Sequence, residues 1–149
     1  MSDISGFGMN IRLIAGITFP IGFGITEFAD DTDPFDIPDI QMADKAMGLN
    51  GDLVVWSMPA PIEVSIAVVP DSDDDRNLAL IADSNRIGKG KSPISDVITM
   101  TRSFPGTDEI PLTLTNGKMI SAPAATSVAA AGRKKSKVYT FAFENAIGN

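Results

Sequence analysis

The sequence has no cysteine and no histidine in 149 residues. Without cysteine there are no disulfides, thiolate nucleophiles or zinc–thiolate sites. Without histidine, Ser-His-Asp and Cys-His mechanisms fall away, together with the commonest transition-metal ligand. An enzyme built from this chain would have to work with carboxylates, Lys, Tyr or a Ser-Lys pair. Aromatics are also scarce, at 7% of residues, and Trp56 and Tyr139 are the only ones that are not Phe. Long apolar runs are missing too. The most apolar stretch, residues 11–25, contains Arg12, Pro20 and three glycines, whereas a membrane helix needs about 20 apolar residues. Asp3 precedes the first basic residue, so the start lacks the positive charge of a secretory signal. A soluble chain made in the cytoplasm is expected.

What is present fits one globular domain spanning residues 1–149. Apolar residues make up 44% and charged residues 21%, an ordinary balance for a packed domain. A chain of this length can bury roughly two-thirds of its unfolded surface without staples.

The clearest pattern is strict alternation through residues 11–25. Ile11, Leu13, Ala15, Ile17, Phe19, Ile21, Phe23 and Ile25 share one parity, and Arg12, Gly16, Thr18, Pro20, Gly22 and Gly24 fall on the other. That is strand periodicity. Fifteen residues would span about 50 Å, so Gly16, Pro20 and Gly22 are expected to bend, bulge or turn the chain. Residues 30–39 (DDTDPFDIPD) read as an exposed acidic loop. Residues 41–47, 53–58 and 62–69 follow as strands, with a turn at Asn50-Gly51. One helix is expected over residues 73–86, with a cap oxygen from Ser72 or Asp73, acidic residues in its first turn, and Leu78, Ile81, Ala82 and Asn85 on one face. Beyond it, residues 97–104 read as a strand. Residues 110–122 read as a β-hairpin turning at Asn116-Gly117, and residues 138–144 as a closing strand. Residues 124–131 are Ala-rich, a loop or a weak helical turn. With no βαβ alternation, the expected class is mainly β: an antiparallel β-sandwich or barrel with one short α-helix packed against it.

Two motifs suggest chemistry and fail on spacing. Gly88-Lys89-Gly90-Lys91-Ser92 resembles a phosphate loop, but Asn85 stands where the first glycine belongs and the segment leaves a helix instead of opening one. Asp71, Asp73, Asp74 and Asp75 suggest a calcium loop, yet Arg76 and Ala82 hold the positions of its Gly and Glu. The helix start accounts for these carboxylates. A carboxylate pair for glycoside hydrolysis leaves no spacing signature, but the acids sit mainly in loops and at the helix start. No catalytic, cofactor-binding or metal-binding residues are assigned.

Charge is divided along the chain. Residues 1–75 hold 14 acidic and 2 basic residues, a net of −12, and residues 76–149 hold 5 acidic and 10 basic, a net of +5. Complementary loops of this kind suit head-to-tail contacts between copies. The interface candidates are Asp30, Asp31, Asp33, Phe35 and Asp36 in the acidic loop and Arg133, Lys134 and Lys135 in the basic run.

The layout resembles the tail tube proteins of bacteriophages, including tube-like baseplate and tube-initiator proteins. The similarity lies in an all-β chain interrupted once by a helix, in the passage from residues 62–69 into PDSDDDRNLALIADSNR, in IPLTLTNGKMIS, and in the closing SKVYTFAFENAIG. It implies a structural subunit of the virion tail, made in the host cytoplasm and not an enzyme. Such subunits assemble as hexameric rings stacked head to tail around a channel through which DNA passes without specific binding. It further implies inner strands drawn from residues 11–28, 53–58 and 62–69, a loop reaching into the next ring (here residues 30–39), an acidic lumen, and sheath, tape-measure and baseplate proteins as partners. The alternative is a monomeric β-sandwich binding module or a small carboxylate-dependent hydrolase.

Overall fold

A computed structural model describes residues 8–30, 32–91, 94–104, 110–128, 130 and 132–148. Asp31, Ser92 and the end of the Ala-rich segment, Ala131, lie outside them. The elements in chain order are β1 (Asn10–Ala15), β2 (Phe19–Ile25), β3 (Phe35–Asp36), β4 (Ala43–Met47), β5 (Leu53–Ser57), β6 (Ile62–Val68), α1 (Asp73–Asn85), β7 (Ile98–Ser103), β8 (Leu112–Ser121) and β9 (Lys137–Ile147). Seven strands form one antiparallel sheet in the order β2-β1-β7-β8-β9-β6-β3, and β4 and β5 form a separate hairpin. The sheet curls into a half-barrel. Its curvature brings Arg102 of β7 over the ring of Phe35 of β3, 5.2 Å from the centroid, although three strands lie between them. The expected mainly β fold with one helix is the one observed.

Alternation decides which side is buried. Ile11, Leu13 and Ala15 of β1, Val64, Ile66 and Val68 of β6, and Tyr139, Phe141 and Phe143 of β9 all point inward and are buried. Leu78 and Ile81 of α1 join the same cluster, so the helix closes the concave side. Each such side chain contributes about 1.5–3 kcal/mol on burial.

Residues 11–25 form a hairpin, with the turn and bulge expected at Gly16, Pro20 and Gly22. The chain turns at residues 16–18, and the register slips between Leu13↔Phe23 and Ala15↔Phe19, so β2 bulges around Pro20–Gly22. At Gly22 φ is +85°, and a Cβ there would lie 2.7 Å from Ile14 Cγ1.

Asn116-Gly117 corrects the expected hairpin. β8 runs unbroken from Leu112 to Ser121 between β7 and β9. Asn116 does take a positive φ of 52°, but in a bulge. Met100 pairs with Leu114 and Ile98 with Gly117, so β8 carries one extra residue against β7. The left-handed tolerance of Asn and the missing Cβ of Gly serve a bulge as well as a turn. Gly117 is required here for a second reason: a Cβ would sit 2.2 Å from the Phe143 ring.

Asn50-Gly51, by contrast, does turn a hairpin, the one joining β4 to β5.

Candidate functional site

The helix is fastened to the sheet by three buried carboxylates. Ser72 caps α1, its Oγ accepting from the Asp75 N–H. Asp73 stays at the surface and pairs with Arg76 (3.0 Å). Asp74 and Asp75 instead turn inward, with 6% and 2% of their surface exposed. Asp74 Oδ2 accepts from the N–H groups of Thr26 and Glu27, both at 2.9 Å, which ties the exit of β2 to the helix. Asp75 accepts from the Asp71 N–H (3.0 Å) and the Tyr139 hydroxyl (2.7 Å), and lies 3.2 Å from Lys137 Nζ. Burial, reinforced by the Asp75 carboxylate, raises the Tyr139 pKa well above its ordinary value.

At the other end of α1, Asp96 is 2% exposed. It accepts from the Ile17 and Thr18 N–H groups (2.8 and 3.0 Å), the Thr18 hydroxyl (2.5 Å) and Asn85 Nδ2 (2.8 Å). Burial works to raise its pKa, but the hydrogen bonds from Thr18, Asn85 and the two amides outweigh burial and hold the carboxyl below its ordinary range. These carboxylates are consumed as acceptors. The helix start thus explains Asp73, whereas Asp74 and Asp75 have a long-range role that local spacing did not show. Among the described residues, no three acidic side chains converge as metal ligands.

The interface candidates divide into two groups. Asp30 pairs with Arg133 (2.6 Å) and Asp71 with Lys134, so much of the charge complementarity between the halves closes inside one chain. The hydrogen bond from Arg133 lowers the Asp30 pKa, and that from Lys134 lowers the pKa of Asp71. Lys135 donates its backbone N–H to Ser127 O (2.7 Å). Phe35 and Asp36 pair with Ile66 and Ser65 at the sheet edge, with Phe35 packed on the core. Asp33 is exposed.

The element that stands clear of the sheet is the β4–β5 hairpin, and not residues 30–39. Cross-strand pairs are Ala43↔Ser57, Asp44↔Trp56, Lys45↔Val55, Ala46↔Val54 and Met47↔Leu53. One face therefore carries Ala43, Lys45, Met47, Leu53, Val55 and Ser57, and the other Asp44, Ala46, Val54 and Trp56. Both faces are mainly apolar and both are open. Met47, Leu53, Val54, Val55 and Trp56 are 45–67% exposed, and Leu49 at the tip is fully exposed. An isolated two-stranded hairpin is marginal in water, and apolar residues on both faces are the mark of strands covered on both sides. The signal was present in LVVWSM, where apolar residues occupy both parities.

Among the described residues the fold is thus a half-barrel with one helix and one separate hairpin. It superposes on the sheath/tube terminator of an extracellular contractile injection system, PVC, in the extended state. The TM-score is 0.57 at 14% identity, over 100% of this chain and 98% of that one. In sequence, residues 2–147 match the family described as tail fiber protein gp32, and the chain belongs to that family. No curated protein matches it in sequence. The chain is a tail-associated structural protein, in agreement with the resemblance to phage tail proteins drawn from its layout.

Proposed function

We propose that the protein is a ring-forming subunit of the tail, assembling as hexamers stacked head to tail around a channel that DNA traverses without specific binding. It would contact tube, sheath, tape-measure or baseplate components at the ends of the stack. The observation that carries this reading is the arm: a hairpin with two apolar faces gains stability only when neighbours cover both. The sheet edges support it. Among the described residues, the outer edge of β2 has no strand partner, and two-residue β3 leaves the Ile62–Val64 portion of β6 uncovered. Ring closure would pair such edges between copies. The outer face of the sheet alternates Thr99, Thr101, Thr113, Thr115 and Thr140 with the buried positions. It sets Asp36, Glu63 and Glu144 against Arg12 and Lys118, a net of −1. If that face lined the channel, hydroxyls with a slight excess of acid would meet the DNA.

Assembly at high concentration tests the proposal. Leu53→Asp combined with Val55→Asp places two charges on one face of the arm, and is expected to abolish higher-order species in sedimentation velocity while circular dichroism stays unchanged. Normal assembly of this variant would remove the arm from the interface. A hydrolase is less well supported, since Asp74, Asp75 and Asp96 are all spent on holding the helix.

A further inference from the structure

The arm needs a receptor, and among the described residues the more spacious groove has a wall that is part apolar and part charged. It lies between the second half of α1 and the segment leaving β8, has a volume of about 470 Å³, and is lined by Ala79, Ala82, Met119, Ala122, Pro123 and Ala124 among others. Five alanines line it, which leaves room for large side chains, and Asp83, Arg86, Lys137 and Tyr139 give it a polar side. The arm tip offers those in Met47, Leu49 and Leu53, all more than 60% exposed. Charge agrees as well. Residues 39–58 contain Asp39, Asp44 and Asp52 against Lys45, a net of −2. On the groove wall Arg86 and, through its contact with Asp83, Lys91 stand against Asp83, and Lys137 is balanced by the buried Asp75, a net of +1. Lys91 lies 3.1 Å from Asp83, which itself lines the groove.

From this complementarity we infer that the groove receives the arm tip of a second copy of this chain. Arm and groove lie on different elements, so the contact is heterologous and propagates from copy to copy, as a ring or stack requires. The inference rests on the proposed self-assembly and names the surface through which it acts.

The absence of cysteine from the sequence makes the test clean. Leu49→Cys and Ala124→Cys, both at exposed positions, are introduced together and the assembled protein is oxidised. Covalent trimers and larger species are expected on a denaturing gel. Each single variant can give at most a dimer. Leu49→Cys paired with Thr101→Cys, on the opposite face of the sheet, is expected to give no ladder, and a ladder there would overturn the inference. Assembly by light scattering without a ladder in the Leu49/Ala124 variant would place the receptor elsewhere and leave the proposed function standing. A disulfide confined to the monomer would mean that each arm covers its own groove, which also overturns the inference. Failure of the unmodified protein to assemble at any concentration would overturn both.

Discussion

Asp96 shows how much of this fold depends on single buried acceptors. Four donors converge on one carboxylate that joins the β1–β2 turn to the end of α1. In Asp96→Asn an amide donor would face Asn85 Nδ2, so two donors meet and one is left without a partner. The expected cost is about 2 kcal/mol at pH 7. Because the folded pKa is depressed, this stabilisation is present above the unfolded carboxylate value near 4 and is lost as pH falls through the folded one. Urea unfolding at pH 7 and pH 3 should show the gap between wild type and Asp96→Asn narrowing at the lower pH. A gap of constant size would mean that the charge on Asp96 is not what holds the turn. Little near Asp96 in the sequence signals this role, since three of its four donors come from Ile17 and Thr18, 78–79 residues upstream, and only Asn85 lies close in sequence. Asp74 and Asp75 were visible as helix-start residues, and only their inward partners were hidden.

Among the elements, the strands were legible wherever one face is buried. Ile11 to Ala15, Val64 to Val68 and Tyr139 to Phe143 alternate because the half-barrel has one inside and one outside. Asn116-Gly117 shows where such reading stops: the dipeptide reports a local left-handed backbone, and a bulge and a turn both ask for one. What separates them is the Phe143 ring, a partner 26 residues away. Gly117→Ala is accordingly expected to destabilise by about 2–4 kcal/mol through overpacking. Denaturant midpoints check this, and a neutral substitution would show that Phe143 moves aside freely. The arm behaves in the opposite way. Met58 donates its N–H to Met42 O at 2.8 Å, so a short Gly-Ser loop can bridge these two residues in place of the hairpin. Since β4 and β5 add no residue to the core, the truncated protein is expected to keep its stability within about 1 kcal/mol and to lose assembly. A large loss of stability would mean that the arm belongs to the folding unit.

At the scale of the whole molecule, the division of charge takes on a different meaning. The chain is acidic in its first half and basic in its second, but Asp30–Arg133, Asp71–Lys134 and Asp75–Lys137 join the halves within one copy. Sequence order could not distinguish pairing within a chain from pairing between chains, because both bring distant segments together. Exposed apolar side chains instead gather on the arm, where Met47, Leu49, Leu53, Val54, Val55 and Trp56 all face solvent. Self-assembly is the central claim, and it is tested most directly by electron microscopy of the purified full-length protein over a range of concentrations. Rings of six copies, stacking into short tubes as concentration rises and absent from the arm-truncated protein, are the expected result. A species that stays monomeric throughout, or that forms threefold fibres with the arms left free in solvent, would contradict it.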